Sequence, residues 1–117
     1  MHVKIYHNPR CSKSRQTLEL LRQRGIEPEI IEYLQNPPDA GTLRAIVDML
    51  GIRPRQLLRT GEAEYQALGL DAGECDDQRI IDAMVEHPRL IERPIVVAGG
   101  KARLGRPPER VTEIIGG

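Results

Sequence analysis

An α/β domain is predicted by three segments of different character: a strand, helix, strand succession at the N-terminus, an all-helical middle, and a Gly-Gly hairpin near the C-terminus. Its 117 residues, 39% hydrophobic and 29% charged, suffice for a single domain over 1–117, and Leu, Ile and Val together number 30. Phe and Trp are absent, so the core must be aliphatic.

Val3 to Tyr6 reads as a strand that runs into a turn at His7-Asn8-Pro9, because proline cannot donate to a ladder and biases the preceding residue toward extended geometry. A helix follows from Ser12 to about Arg24, with Leu18 and Leu21 on one face and Gly25 as its stop. Glu29 to Leu34 reads as a second strand, and a βαβ unit of this length has parallel strands. Pro37-Pro38-Asp39 then opens a helical insertion, approximately 39–88, in which Leu43, Ile46, Val47 and Leu50 recur at i, i+3, i+4 and i+7. Gly51 closes that helix, and shorter helices are expected over Pro54–Leu58, Glu62–Leu68 and Asp77–Glu86, the last capped by Asp76 or Asp77. Pro94 to Ala98 and Lys101 to Leu104 flank Gly99-Gly100, which supplies the positive φ of a two-residue hairpin. Pro107 or Pro108 starts a C-terminal helix with Val111, Ile114 and Ile115 inward.

Charge excludes several functions. Seventeen basic and seventeen acidic residues balance, and aromatic content is 3%, so neither a basic face nor stacking platforms for nucleic acid are expected. The longest stretch without Asp, Glu, Lys or Arg, Pro94 to Gly100, is far too short to span a membrane. No apolar leader stands at the N-terminus, and a cytoplasmic protein is expected.

Chemistry concentrates at Cys11. A free thiol is mostly protonated at neutral pH, so a nucleophilic cysteine needs positive potential. Cys11 stands at a predicted helix N-terminus, whose N–H groups and dipole favour an anion, with His7, Arg10, Lys13 and Arg15 within four residues. Cys75, beside Glu74, Asp76 and Asp77, has the opposite surroundings and reads as inert. These two cysteines and three histidines show no paired ligand spacing, and no metal is expected. Ser14 stands where a Cys-x-x-Cys pair would place its second thiol, so any resolving thiol must come from another molecule.

A Gly99-Gly100 turn makes opposed hairpin positions sum to 199, which sets Arg93 opposite Arg106. Like charges directly across a ladder repel, so the pair either splays into solvent or holds an anion. Arg59 by itself reads as a solvated cation at a helix end. Pro94 by itself reads as trans, the state of about nineteen X-Pro bonds in twenty.

The segment His7-Asn8-Pro9-Arg10-Cys11-Ser12-Lys13-Ser14-Arg15 closely resembles the active-site loop of the glutaredoxin-linked arsenate reductase (ArsC) family. The likeness extends through Tyr33-Leu34, Asn36-Pro37-Pro38, Leu57-Leu58-Arg59, Glu92-Arg93-Pro94-Ile95-Val96-Val97 and Gly105-Arg106-Pro107-Pro108-Glu109. It implies a thioredoxin-like, mixed four-stranded sheet with the helical insertion between the βαβ unit and a C-terminal ββα unit. It further implies a cis Pro94, Cys11 as nucleophile, His7 and Ser14 supporting its thiolate, and Arg59, Arg93 and Arg106 holding an oxyanion. Arsenate would be the substrate, glutathione a co-substrate, and glutaredoxin the partner that regenerates the thiol, with no bound cofactor and a monomeric enzyme expected. Two other functions share parts of this pattern. One is another glutathione-linked thiol oxidoreductase. The other is an RNA polymerase-binding regulator resembling Spx, against which Ser14 and the three arginines argue.

Overall fold

Residues 2–73 and 75–116 are described by a computed structural model of the chain. Glu74 lies outside them. The chain forms two compact units, one made of the residues up to Asn36 together with those from Arg93 onward, the other of Pro37–Glu92.

The first unit is a four-stranded sheet in the order β2-β1-β3-β4. Strand β1 (Val3–His7) pairs in parallel with β2 (Glu29–Glu32) in the register Lys4↔Glu29, and antiparallel with β3 (Ile95–Ala98) in the register Tyr6↔Ile95. Strand β3 turns through Gly99 (φ 59°) and Gly100 (φ 77°) into β4 (Lys101–Leu104), with Ala98↔Lys101 and Ile95↔Leu104 opposed. The sum of 199 expected from the turn holds along the whole hairpin.

Helix α1 (Ser12–Gln23) connects β1 to β2 and ends at Gly25, whose φ of 77° lets its N–H reach Arg22 O while Ile26 N–H reaches Leu21 O. Its Leu18 and Leu21 pack with Val3 and Ile5 of β1, Val96 and Ala98 of β3, and Val111, Ile114 and Ile115. These positions alternate along each strand, so one face of the sheet carries the core.

Expectations need correction here: β1 extends through His7, and β3 begins at Ile95 rather than Pro94. Strand β2 stops at Glu32 rather than Leu34, because the chain turns there: Gln35 N–H and Asn36 N–H both donate to Glu32 O, at 3.0 and 2.9 Å. The C-terminal helix is a 3-10 helix, Pro108–Glu113, and not an α-helix. Prolines at 107 and 108 supply no N–H, and the β-branched Val111, Thr112, Ile114 and Ile115 disfavour the α form over so short a segment.

In the second unit, α2 (Ala40–Leu50) is capped by Asp39, whose carboxylate accepts from Thr42 N–H at 2.8 Å, and closes at Gly51 with φ 70°. Asp76 makes the same contact to Arg79 N–H at the start of α4 (Asp77–Glu86), so the cap is Asp76 and not Asp77. Leu43, Ile46 and Val47 of α2 and Ile80, Ile81, Ala83 and Met84 of α4 are buried. The expected Pro54–Leu58 helix is a 3-10 turn over Pro54–Leu57, and Glu62–Leu68 shortens to α3 (Ala63–Ala67). A second 3-10 turn, Pro88–Leu90, and an isolated antiparallel bridge between Leu58 and Ile91 were not expected. Among the described residues no helix is long and apolar enough to cross a membrane.

Candidate functional site

The C-terminal end of β1, the N-terminal end of β3 and the C-terminal end of β4 lie at one end of the sheet. The segments that leave those strands carry the predicted site residues of the first unit. Asn8-Pro9-Arg10-Cys11 is a turn closed by Cys11 N–H donating to Asn8 O at 3.0 Å, and it delivers Cys11 as the N-cap of α1. Cys11 is buried, at 8% exposure. The first bond within the helix runs from Arg15 N–H to Cys11 O, at 3.0 Å, so the N–H groups of Ser12, Lys13 and Ser14 come before it and point toward the helix start. The helix start thus presents backbone N–H groups and a positive dipole end at the Cys11 position, whose side chain makes no cap hydrogen bond to them.

Behind the turn, the His7 ring Nδ1 lies 2.6 Å from Ser14 Oγ, and Asn8 N–H donates to the same oxygen at 3.0 Å. Both side chains are buried. Burial holds the His7 imidazole below its usual 6.5; the nearby Arg22 and Arg15 charges push the same way, while Glu32 opposes them. His7 is accordingly neutral at pH 7, with its Nδ1 committed to Ser14. Arg15 Nη1 donates to Pro9 O at 3.0 Å and ties the helix back to the turn. A cleft of about 270 Å³, lined by residues that include His7, Asn8, Arg10, Glu32 and Leu34, opens beside this turn.

At the open end of the hairpin the register continues past the strands. Gly105 N–H donates to Pro94 O at 2.9 Å, and Arg106 Nη1 donates to Arg93 O at 3.0 Å, so the two arginines are brought together as the turn requires. Nε and Nη1 of Arg93 are buried, whereas Arg106 is exposed. Extending the β1–β3 register by two residues sets Arg93 opposite Asn8, in the turn that carries Cys11. The Arg93-Pro94 and Arg106-Pro107 bonds are both cis. Between them Gly105 fits because it lacks a side chain: a Cβ there would run into Thr17 of α1 and the Pro94 ring.

Arg59 lies in the second unit, and it is not the solvated helix-end cation read from its local sequence. Its Nη1 donates to Glu62 at 2.7 Å and its Nε lies 3.7 Å from Glu92. Glu62 also accepts from Arg89 at 3.0 Å, and the hydrogen bond from Arg59 leads the contacts that hold its carboxyl below the usual glutamate value. Sequence reasoning missed this cluster; its available signal was the acid three residues after Arg59. Cys75, also in the second unit, is half-buried and 3.5 Å from Gly69 O.

A mixed four-stranded sheet with a cysteine opening the first helix and a cis-proline entering β3 defines a thioredoxin-like thiol domain. The chain belongs to the ArsC family, whose sequence profile matches residues 6–114. It is 56% identical to YfgD of Escherichia coli, a protein described as uncharacterized, over 97% of each chain. It is 49% identical to a Haemophilus influenzae protein named arsenate reductase, over 98% of this chain and 100% of that one. A solved structure titled arsenate reductase from Vibrio cholerae superposes with a TM-score of 0.96 at 49% identity, covering 98% of both chains.

Proposed function

We propose that this protein reduces arsenate to arsenite, with Cys11 as the one cysteine of the chain that attacks. The observation that carries the reading is the placement of Cys11 at the N-terminus of α1, at the sheet end to which the hairpin brings Arg93 and Arg106. Helix N–H groups favour the thiolate, and guanidinium groups in a fixed fork suit a tetrahedral oxyanion. The family likeness adds Arg59 as a third anion-binding group, and the names of close relatives supply arsenate as the substrate.

In the proposed reaction Cys11 sulfur displaces hydroxide from arsenate, forming a sulfur–arsenic bond while arsenic remains pentavalent. The arginines neutralise the oxygens where charge builds up. Glutathione thiolate then attacks: arsenic gains two electrons and leaves as arsenite, and the two sulfurs that lose them end joined as a Cys11–glutathione disulfide. Glutaredoxin thiolate attacks the glutathione sulfur, forming a glutaredoxin–glutathione disulfide as the bond to Cys11 breaks and Cys11 leaves as the thiolate. His7 and Ser14 hold the turn and the first helical turn in the geometry that keeps the thiolate at the helix end. The lack of a second thiol at position 14 fits an external reductant.

Incubation with arsenate and glutathione, in the absence of glutaredoxin, tests the scheme by mass spectrometry. One glutathione per chain on the Cys11 peptide, dependent on arsenate, is expected. An adduct on Cys75, or none on either cysteine, would contradict it.

A further inference from the structure

Three polar groups of Asn8 converge on the segment that carries the thiol. Its Oδ1 accepts from Arg10 N–H at 3.0 Å. Its carbonyl accepts from Cys11 N–H at 3.0 Å, and its N–H donates to Ser14 Oγ at 3.0 Å. The order Asn-Pro-Arg-Cys suits such a turn: asparagine at the first position folds its side chain onto a backbone N–H two residues on, and proline at the second presets φ. The turn so fixed sets where Cys11 Cα sits relative to the N–H groups of the first turn of α1, and hence what a thiolate at the N-cap can meet. The contact to Ser14 fills one acceptor site of that hydroxyl, leaving the remainder for His7 and one further partner.

We infer that Asn8 is a positioning residue for the Cys11 thiol, acting through its side-chain bond to Arg10 N–H. The inference rests on the reading of Cys11 as the nucleophile. Asn8 touches no reacting atom in this scheme. Its carboxamide closes the turn, and the turn aligns the sulfur with the helix end. Loss of the side-chain acceptor leaves Arg10 N–H to solvent and lets the turn relax, so the thiolate loses part of the helix-end potential while the fold persists.

The test uses the full-length chain carrying Cys75→Ser, which leaves one thiol. Iodoacetamide alkylation is timed at about pH 5 and about pH 9, and the ratio of the rate at the lower pH to that at the higher reports thiolate fraction with accessibility cancelled. Asn8→Ala is expected to lower that ratio about threefold, the size of a helix-terminus interaction. Asn8→Ser, whose hydroxyl can close the same turn, restores it; Asn8→Gln, whose amide oxygen sits one methylene too far out, behaves as Ala does. An unchanged ratio in both Asn8→Ala and Asn8→Gln overturns the inference whatever their melting temperatures, because a residue that merely stabilises the loop moves Tm and leaves the ratio alone. Should Asn8→Ala not fold, the contrast between Gln and Ser decides. Arsenate is absent from this assay, so a missing arsenate turnover beside the expected alkylation pattern counts against the functional reading alone.

Discussion

At the residue scale the site is a set of short-range contacts around the turn that carries Cys11, and burial governs the titration of His7 within it. His7 resists protonation in the folded protein, and its unfolded-state value is the ordinary 6.5. As pH falls through 6.5 the unfolded chain takes up a proton that the folded chain refuses, so stability declines from there and levels off only below the folded-state value. Guanidinium unfolding midpoints should therefore drop between about pH 7.5 and about 5.5, and His7→Gln should flatten that slope; an unaltered slope in the variant would remove His7 as its source. Cys11 was legible from its place between a strand end and a helix start, whereas the supporting roles of His7 and Ser14 entered only through the likeness of the whole loop, which does not state the contact between them. The acceptor of Arg15 was not legible: local spacing does not say which carbonyl a long side chain meets, here that of Pro9. The role of the Asn8 turn also escaped notice, although Asn-Pro at its first two positions was the available signal.

Among elements, the hairpin carries the longest-range information in the chain. Two adjacent glycines fix a register that holds from Ala98↔Lys101 out to the Arg93–Arg106 contact, which is why that pairing could be read before any fold was known. Gly105 shows what such a register demands elsewhere. Its missing side chain admits Thr17 and Pro94, so Gly105→Ala forces the hairpin away from α1 at the level of the site. Overpacking of this kind costs about 1–3 kcal/mol, and a denaturant titration of Gly105→Ala should show a loss in that range; a neutral substitution would mean that Thr17 yields freely. The elements that resisted sequence reasoning are the 3-10 segments and the Leu58–Ile91 bridge. A 3-10 turn has too few residues to show a period, and a bridge joining positions 33 apart leaves no alternation to detect.

For the whole molecule, the fold class followed from the order of its segments: βαβ, helices, hairpin. The thioredoxin-like assignment needed the longer likeness of sequence, since many chains share that order. The sheet unit is discontinuous in sequence, interrupted by residues 37–92, a unit that carries Arg59 and its carboxylate partners. A shared fold hosts many reactions, so kinship supplies arsenate as the candidate substrate and the chemistry of a single thiol is what tests it. The central claim is tested most directly by arsenate-dependent NADPH oxidation, coupled through glutathione, glutathione reductase and glutaredoxin, using the wild-type chain, Cys11→Ser and Cys75→Ser. Turnover in the wild type, turnover near that level in Cys75→Ser and none in Cys11→Ser is the expected result. A rate that survives in Cys11→Ser, or a folded wild-type chain with no rate above a protein-free control, would contradict the assignment.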